Sequence, residues 1–274
     1  MTTTPAVTVE HLTKQYAGGK TAVDDVSFTI APGETFALLG PNGAGKSTTV
    51  EILEGFRSRT GGEIRVLGHD PAHASRNHNA RVGIVLQTSG ESPNVTVAEQ
   101  LQHFGHLYPR SRPVDELLAA TGLEAQRNTR ISRLSGGQRR RVDVALGIIG
   151  RPEVLFLDEP TTGFDPEARR QFWQLIRSVR DEGTTVLLTT HYLDEAAHLA
   201  DRAAVLAAGA CSTSHPSTRS AGRTHAHRSS GGRTTPVRRT STARPTRPPS
   251  SGTRRPRCTR SRSSAPRSRT STSP

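Results

Sequence analysis

Apolar residues recur along the first 209 positions with two different periods, and the switches between them divide the chain into elements. Residues 7–10 and 22–30 carry β-type runs separated by turns, the second ending at Ala31, Pro32 and Gly33. Short strands in such a meander predict an antiparallel edge on an otherwise parallel sheet. The unbroken apolar run Phe36, Ala37, Leu38, Leu39 predicts a buried strand, and residues 47–53, free of Gly and Pro, a helix after it. Residues 62–70, GEIRVLGHD, read as a further hairpin, and residues 83–87, GIVLQ, as a strand that ends in a polar side chain. Thr96 and Glu99 have the spacing of a capping box. It opens a helical region that runs to about Gly150 and is interrupted at Pro109, Pro113 and Gly122.

Beyond Pro152, residues 154–157 (VLFL) predict a second buried strand, which terminates in Asp158, Glu159 and Pro160. A turn at Gly163, Phe164, Asp165 and Pro166 leads into an amphipathic helix over residues 167–180, with Phe172, Leu175, Ile176 and Val179 on one face. Residues 185–190 predict a strand that delivers His191, residues 193–200 a helix, and residues 204–206 the start of another strand. Strands alternating with helices give an α/β fold with a mixed sheet, and residues 88–150 a helical subdomain within it.

Composition changes the picture only after Gly209. Of the 37 basic residues in the 274-residue chain, 15 arginines lie in residues 210–274, which hold no Lys, Asp or Glu. The formal charge of +13 therefore belongs to this tail; residues 1–209, with 22 basic and 24 acidic groups, carry −2. Built mainly of Ser, Thr, Arg, Pro, Gly and Ala, the tail has Val237 but no Leu, Ile, Met or aromatic residue. Such a segment buries too little apolar surface to offset the entropy of ordering its backbone, so residues 210–274 are predicted to be disordered. Both cysteines, Cys211 and Cys258, fall there, leaving residues 1–209 with no disulfide framework and no cysteine metal spacing. The opening MTTTPAVTVEHL lacks the charged start and apolar core of a secretion signal. No window approaches the roughly 18 to 20 apolar residues of a membrane span. The expectation is a cytosolic protein whose membrane role, if it has one, comes through a partner.

The candidate chemistry sits where strands end. GPNGAGKST, residues 40–48, matches GxxxxGK[ST] at Gly40, Gly45, Lys46 and Ser47. Placed between a strand and a helix, its glycines let backbone N–H groups converge on a nucleotide's β- and γ-phosphates, and the helix N-terminus adds partial positive charge. Lys46 supplies a point charge and Ser47 a hydroxyl for Mg²⁺. Asp158 and Glu159 leave a hydrophobic strand together, which is costly unless something cationic meets them. Asp158 is placed to hold Mg²⁺ through water, and Glu159 to face the γ-phosphate as general base. Gln87 ends a strand, where an amide can reach a cation or attacking water, or simply be exposed. His191, at another strand end, can donate to the γ-phosphate or orient water. LSGGQ, residues 134–138, opens a helix and reads either as a second anion site or as an ordinary Ser N-cap. Tyr16 is a lone aromatic that either stacks on a base or packs on the surface. His103 and His106 share a helix face without a third ligand, and Arg139, Arg140 and Arg141 read as a solvated first turn rather than a nucleic-acid patch.

The order GPNGAGKST, Gln87, LSGGQ, LFLDEP, a Gly-Phe-Asp turn and His191 resembles the nucleotide-binding domain of an ABC transporter, a P-loop NTPase, over residues 6–209. The wording of residues 83–101 and 134–170 is similar to ATP-binding subunits of drug and antibiotic export. The resemblance implies that Tyr16 stacks on adenine and that Gly40, Pro41, Asn42, Gly43, Ala44, Gly45, Lys46, Ser47 and Thr48 cradle the phosphates of ATP. It implies that Ser47, Gln87 and Asp158 serve Mg²⁺, that Glu159 is the catalytic base aided by Gln87 and His191, and that Asp165 crosses a dimer contact. Leu134, Ser135, Gly136, Gly137 and Gln138 would close over ATP held by a second copy, giving a head-to-tail homodimer with two shared sites. The partner implied is a separate membrane permease, holding the subunit on the inner face of the membrane. Two other readings remain: a soluble ATPase of this type acting on nucleic acid through its tail, and an inactive product of a damaged gene. The tail departs from the family pattern. With three Lys against 34 Arg in the chain, the source gene is expected to be GC-rich, and a frameshift near Gly209 would yield such a tail. A family-like continuation in a neighbouring reading frame beyond codon 209 is the expected sign; its absence would exclude that origin. The tail itself is expected to attract anions without selectivity.

Overall fold

The computed structural model describes residues 4–86, 94–207 and 209–214, the last three of these by backbone alone. The chain runs β1 (Val7–Gln15), β2 (Thr21–Ile30), β3 (Thr35–Leu39), α1 (Lys46–Leu53), β4 (Gly61–Val66), α2 (Arg76–Asn79) and β5 (Val82–Val85). It continues with α3 (Val97–Gly105), α4 (Val114–Thr121), α5 (Gly136–Ile148), β6 (Val154–Asp158), α6 (Pro166–Asp181), β7 (Thr185–Thr190), α7 (Leu193–Leu199), β8 (Arg202–Ala207) and β9 (Ala210–Ser214).

The strands form two sheets. β5-β6-β7-β3-β8-β9 is parallel except for β9, which pairs antiparallel with β8. Every residue of β3, β6 and β7 is buried, as continuous apolar strands covered on both faces require. The meander predicted as an edge of this sheet instead builds a sheet of its own, β2-β1-β4, antiparallel throughout. Its alternating burial shows why: β2 has one face to cover, and Val23, Val26, Phe28 and Ile30 turn that face inward. The hairpin expected over residues 62–70 reduces to a tight turn, because β4 takes β1 as its partner and only Val66 and His69 bridge across Leu67 and Gly68.

One core fills the space between α3, α4, α5, α6 and one face of the parallel sheet, around Leu101, Leu117, Leu155, Phe172 and Leu188. A second joins the other face to α1 and the antiparallel sheet, around Phe36, Leu38, Val50, Phe156 and Leu187. The helical region is three helices. α3 has both halves of the predicted capping box, and α4 ends where Gly122 turns left-handed at φ 62°. The short α2, capped by Ser75, had no apolar period to announce it.

The tail departs from expectation at its start. β9 extends order five residues past Gly209, and the Gly209 carbonyl accepts from Asp24 N at 2.8 Å. Composition weighs side chains, whereas a strand laid on β8 satisfies its backbone whatever side chains it carries. Residues 215–274, on which the rest of the predicted disorder falls, lie outside the described residues.

Candidate functional site

β3 and α1 bracket the loop of residues 40–48, and two of its glycines are required by contact. A Cβ on Gly40 would stand 2.4 Å from the Leu206 carbonyl oxygen, and one on Gly45 2.2 Å from that of Ala22; Gly45 is also left-handed at φ 99°. Pro41, Asn42 and Gly43 are exposed at the rim, while Ala44 is buried beneath them. Lys46 is only 4% exposed; its Nζ donates to the carbonyls of Gly40 (2.9 Å) and Pro41 (3.3 Å). Thr48 Oγ1 lies 3.3 Å from the Tyr16 hydroxyl, and Lys14 Nζ and Arg57 Cζ stand 5.4 Å from the Tyr16 ring centre. The ring thus sits in a cationic collar over the first turn of α1.

Parallel pairing of β6 with β7 sets Asp158 opposite Thr189, and this register assembles the acidic end of the site. Asp158 Oδ1 accepts from Thr189 Oγ1 (2.5 Å) and from Ser47 Oγ (3.3 Å). Glu159 is held in the left-handed region at φ 43°, a strained position for a side-chain-bearing residue. Its N–H donates to the same Thr189 hydroxyl at 2.9 Å. Glu159 Oε1 is 3.3 Å from Lys46 Nζ, and Oε2 is 3.5 Å from His191 Nδ1. The structure therefore brings Lys46, Ser47, Asp158, Glu159 and His191 together. A carboxylate with a hydroxyl beside it, at the foot of a loop shaped for phosphate, is a fitting oxygen donor set for Mg²⁺.

Two members of this assembly escaped the sequence reading. Thr189 is a lone hydroxyl in a strand that reads as core, and only the register shows that it faces Asp158. Arg140, expected among solvated arginines, is 8% exposed. It donates to the backbone carbonyls of Asp158 (3.0 Å), Pro160 (3.1 Å) and Leu86, tying α5 to the ends of β5 and β6. Burial lowers its pKa, opposed by Asp143, Asp158 and Glu195. α5 is covered on the face that passes β5 and β6, and an arginine reaching carbonyls there serves as their donor instead of facing solvent.

The second landmark folds as a cap. Ser135 Oγ accepts from Gln138 N at 3.3 Å, Gln138 Oε1 accepts from Ser135 N at 3.0 Å, and Leu134 anchors the segment in the core. Ser135, Gly137 and Gln138 line a cleft of about 400 Å³ with Gly163, Phe164 and Asp165, and no residue of the 40–48 loop takes part. Gly136 is exposed beside it. Asp165 Oδ1 caps α6, accepting from Glu167 N (2.9 Å) and Ala168 N (2.8 Å). His103 and His106 are exposed, and the described residues contain no group of three or more potential metal ligands among His, Cys, Asp and Glu. Gln87 lies outside the described residues.

A family model for ABC transporters matches residues 23–162, which span the loop, the signature cap and the acidic strand end. The chain belongs to the ABC transporter family. The Nod factor export ATP-binding protein I of Paraburkholderia xenovorans is 43% identical over 209 residues, covering 74% of this chain and 68% of that protein. The daunorubicin/doxorubicin resistance ATP-binding protein DrrA of Streptomyces peucetius is 42% identical over 208 residues, 74% of this chain and 63% of that protein. Among solved structures, cbiO1 of Clostridium perfringens, part of an ABC transporter complex, superposes with a TM-score of 0.67 at 29% identity over 75% of this chain and 86% of that one. A dimeric ATP-binding cassette bound to ADP and Pi in a post-hydrolysis state gives 0.67 at 25% identity over 76% of this chain and 98% of that one. The chain is an ABC-type ATP-binding subunit and an ATPase. Among its described residues no helix is long and apolar enough to cross a membrane.

Proposed function

We propose that this ABC subunit binds ATP with Mg²⁺ between two copies of itself and uses hydrolysis to drive export of a small molecule through a separate membrane permease, which holds it at the inner face of the membrane. The observation that carries the reading is the convergence of Lys46, Asp158, Glu159 and His191 at the end of one parallel sheet. Lys46 and the N–H groups of the 40–48 loop bind the phosphates, and Tyr16 offers its ring to adenine. Ser47 and Asp158, with Gln87, hold Mg²⁺, which supplies charge neutralisation at the transferring phosphoryl group. Glu159 takes the proton of a water whose oxygen attacks the γ-phosphorus; the bond to the bridging β–γ oxygen breaks, and ADP and phosphate leave. His191 positions that water or the γ-phosphate from the other side of Glu159.

The separation of residues 134–138 from the phosphate loop supports the homodimer. Ser135, Gly137 and Gln138, with Asp165, face a cleft that none of residues 40–48 enter, and Leu134 and Gly136 flank them in the chain, so one copy leaves this segment without a phosphate. A head-to-tail pair completes two sites. Export, rather than another transport task, is supported by relatives whose names specify Nod factor export and drug resistance.

The test is ATP hydrolysis by the full chain beside Glu159→Gln, with sedimentation in the presence of ATP. Expected are hydrolysis by the unmodified chain, loss by about 10² or more in the variant, and an ATP-dependent dimer that the variant traps. A folded protein that neither hydrolyses ATP nor dimerises with it would overturn the reading and leave the damaged-gene origin in its place.

A further inference from the structure

A second cleft, of about 300 Å³, opens between the parallel sheet and the helices, far along α1 from its phosphate-binding end. Its walls are largely apolar: Phe56, Ile84, Phe104 and Tyr108 among them. Two polar groups on these walls lack partners. Glu54 Oε1, at the C-terminal end of α1, is buried with no hydrogen bond, and so is His78 Nδ1, on a side chain that is 4% exposed. Neither belongs to the ATP site, and orphaned buried polar atoms are uncommon enough to require a reason.

The rim supplies one. Five large hydrophobic side chains are exposed among the described residues; Phe56 (67%) lines the cleft, and Leu86 (49%) and Leu107 (66%) lie within two residues of lining positions. Leu107 is the chain neighbour of Tyr108, and Leu86 follows β5, whose Ile84 forms part of the wall. An apolar rim around an unsatisfied acid matches a side chain with an apolar stem and a cationic head. Lysine and arginine are the only protein side chains of that kind. Arginine fits better, since its fork has donors for both Glu54 Oε1 and His78 Nδ1. Burial, with the nearby charges of His69 and Arg81, holds His78 below its ordinary pKa, so its imidazole is neutral and has a lone pair to offer. On the acid, burial and the charges of Asp158 and Glu51 make an unpaired carboxylate unfavourable, which a cation would relieve.

We propose that Glu54 and His78 form the receptor for one basic side chain, arginine by preference, on the permease segment that docks in this cleft. The inference rests on the export reading above and adds to it the chemistry of the contact. Because Glu54 stands at the end of the helix that begins at Lys46, a charge seated there touches an element that also reaches the ATP site.

The test is binding of the full chain to the permease of its own transporter, solubilised in detergent, with Glu54→Gln and Glu54→Lys as variants. Expected is a loss of affinity of about 10-fold or more for each, since a desolvated charge pair loses one partner. In the Glu54→Lys background, one permease Arg→Glu or Lys→Glu substitution should restore binding to within about threefold. Hydrolysis by the isolated chain and its melting temperature, read in parallel, show that the variants are folded. If the unmodified chain binds the permease and both variants bind equally well, the receptor is wrong while the export reading stands. Variants that bind weakly with no restoring substitution in any basic permease residue would also overturn the charge pairing. If the unmodified chain binds no permease, the export reading fails and this inference with it.

Discussion

Thr189 supports two groups with one oxygen. It donates to Asp158 and accepts from the N–H of Glu159, so its hydroxyl fixes the spacing of the two acidic residues. Thr189→Val should lower kcat by about 10- to 100-fold with a smaller change in KM for ATP, and Thr189→Ser should restore most of it; equal kinetics for Val and Thr would remove the positioning role. Gly45→Ala meets both a carbonyl at 2.2 Å and a left-handed φ, and its expected cost is on the order of 1–3 kcal/mol, with ATP affinity lost alongside stability. At Glu54 the pKa rises from 4.5 to about 8, chiefly through burial and then through Asp158 and Glu51. Tyr108 and the neutral His78 share its cleft. A carboxyl whose folded pKa is raised contributes its full stability below the unfolded value and loses it as pH climbs through the folded one. Glu54→Gln should therefore melt like the parent near pH 4.5 and above it at pH 8.5, by several degrees at roughly 2 to 4 °C per kcal/mol. A difference independent of pH would show that Glu54 is charged in the free subunit.

At the scale of elements, α5 joins regions that the chain keeps apart. Its first turn presents Ser135 and Gln138 to the cleft they share with Asp165, and one turn later Arg140 grips the carbonyls of Leu86, Asp158 and Pro160. Replacing Arg140 by Met leaves those acceptors without their donor, at an expected cost on the order of 3 kcal/mol. Arg140→Lys keeps charge but not the planar fork, and should recover only part of the loss. Thermal melting of the two variants checks this; a Met variant as stable as the parent would mean that water replaces the guanidinium. The antiparallel sheet has a comparable role on the opposite side: Ala22 in β2 backs the 40–48 loop so closely that Gly45 has no room for a side chain.

For the whole molecule the question is where the ATPase fold stops. β9 covers the edge of the parallel sheet through five pairings with β8, and Gly209 ties that edge to Asp24 of the other sheet. Ending the chain after Ser214 is expected to leave melting temperature and hydrolysis within error of the full chain. Ending it after Ala207 exposes the β8 edge and removes the Gly209 contact, and should lower the melting temperature by several degrees and promote aggregation. Equal behaviour of the two truncations would show that the fold is complete by Ala207 and that β9 adds nothing to it.

Much of the site was legible because its chemistry depends on local order. GPNGAGKST needs only a strand before it and a helix after it, and the acids that end β6 announce themselves by following four apolar residues. The capping box at Thr96 was equally readable, since Glu99 lies three residues on, whereas at Ser135 only an N-cap was, and the structure supplied its second half from Gln138. Thr189, Arg140 and Glu54 were not, for the reason that each acquires its role from a neighbour distant in the chain. The same holds for the sheets. Strand positions follow from local hydrophobic period, but partnership follows from which faces need covering, and so the meander became a second sheet and a polar tail contributed β9. Sequence alone determined most of the elements, the phosphate loop and the family; tertiary structure decided α2, β9, register, which side chains meet at the strand ends, and which polar atoms remain unpaired, because those depend on burial and pairing that no local pattern encodes.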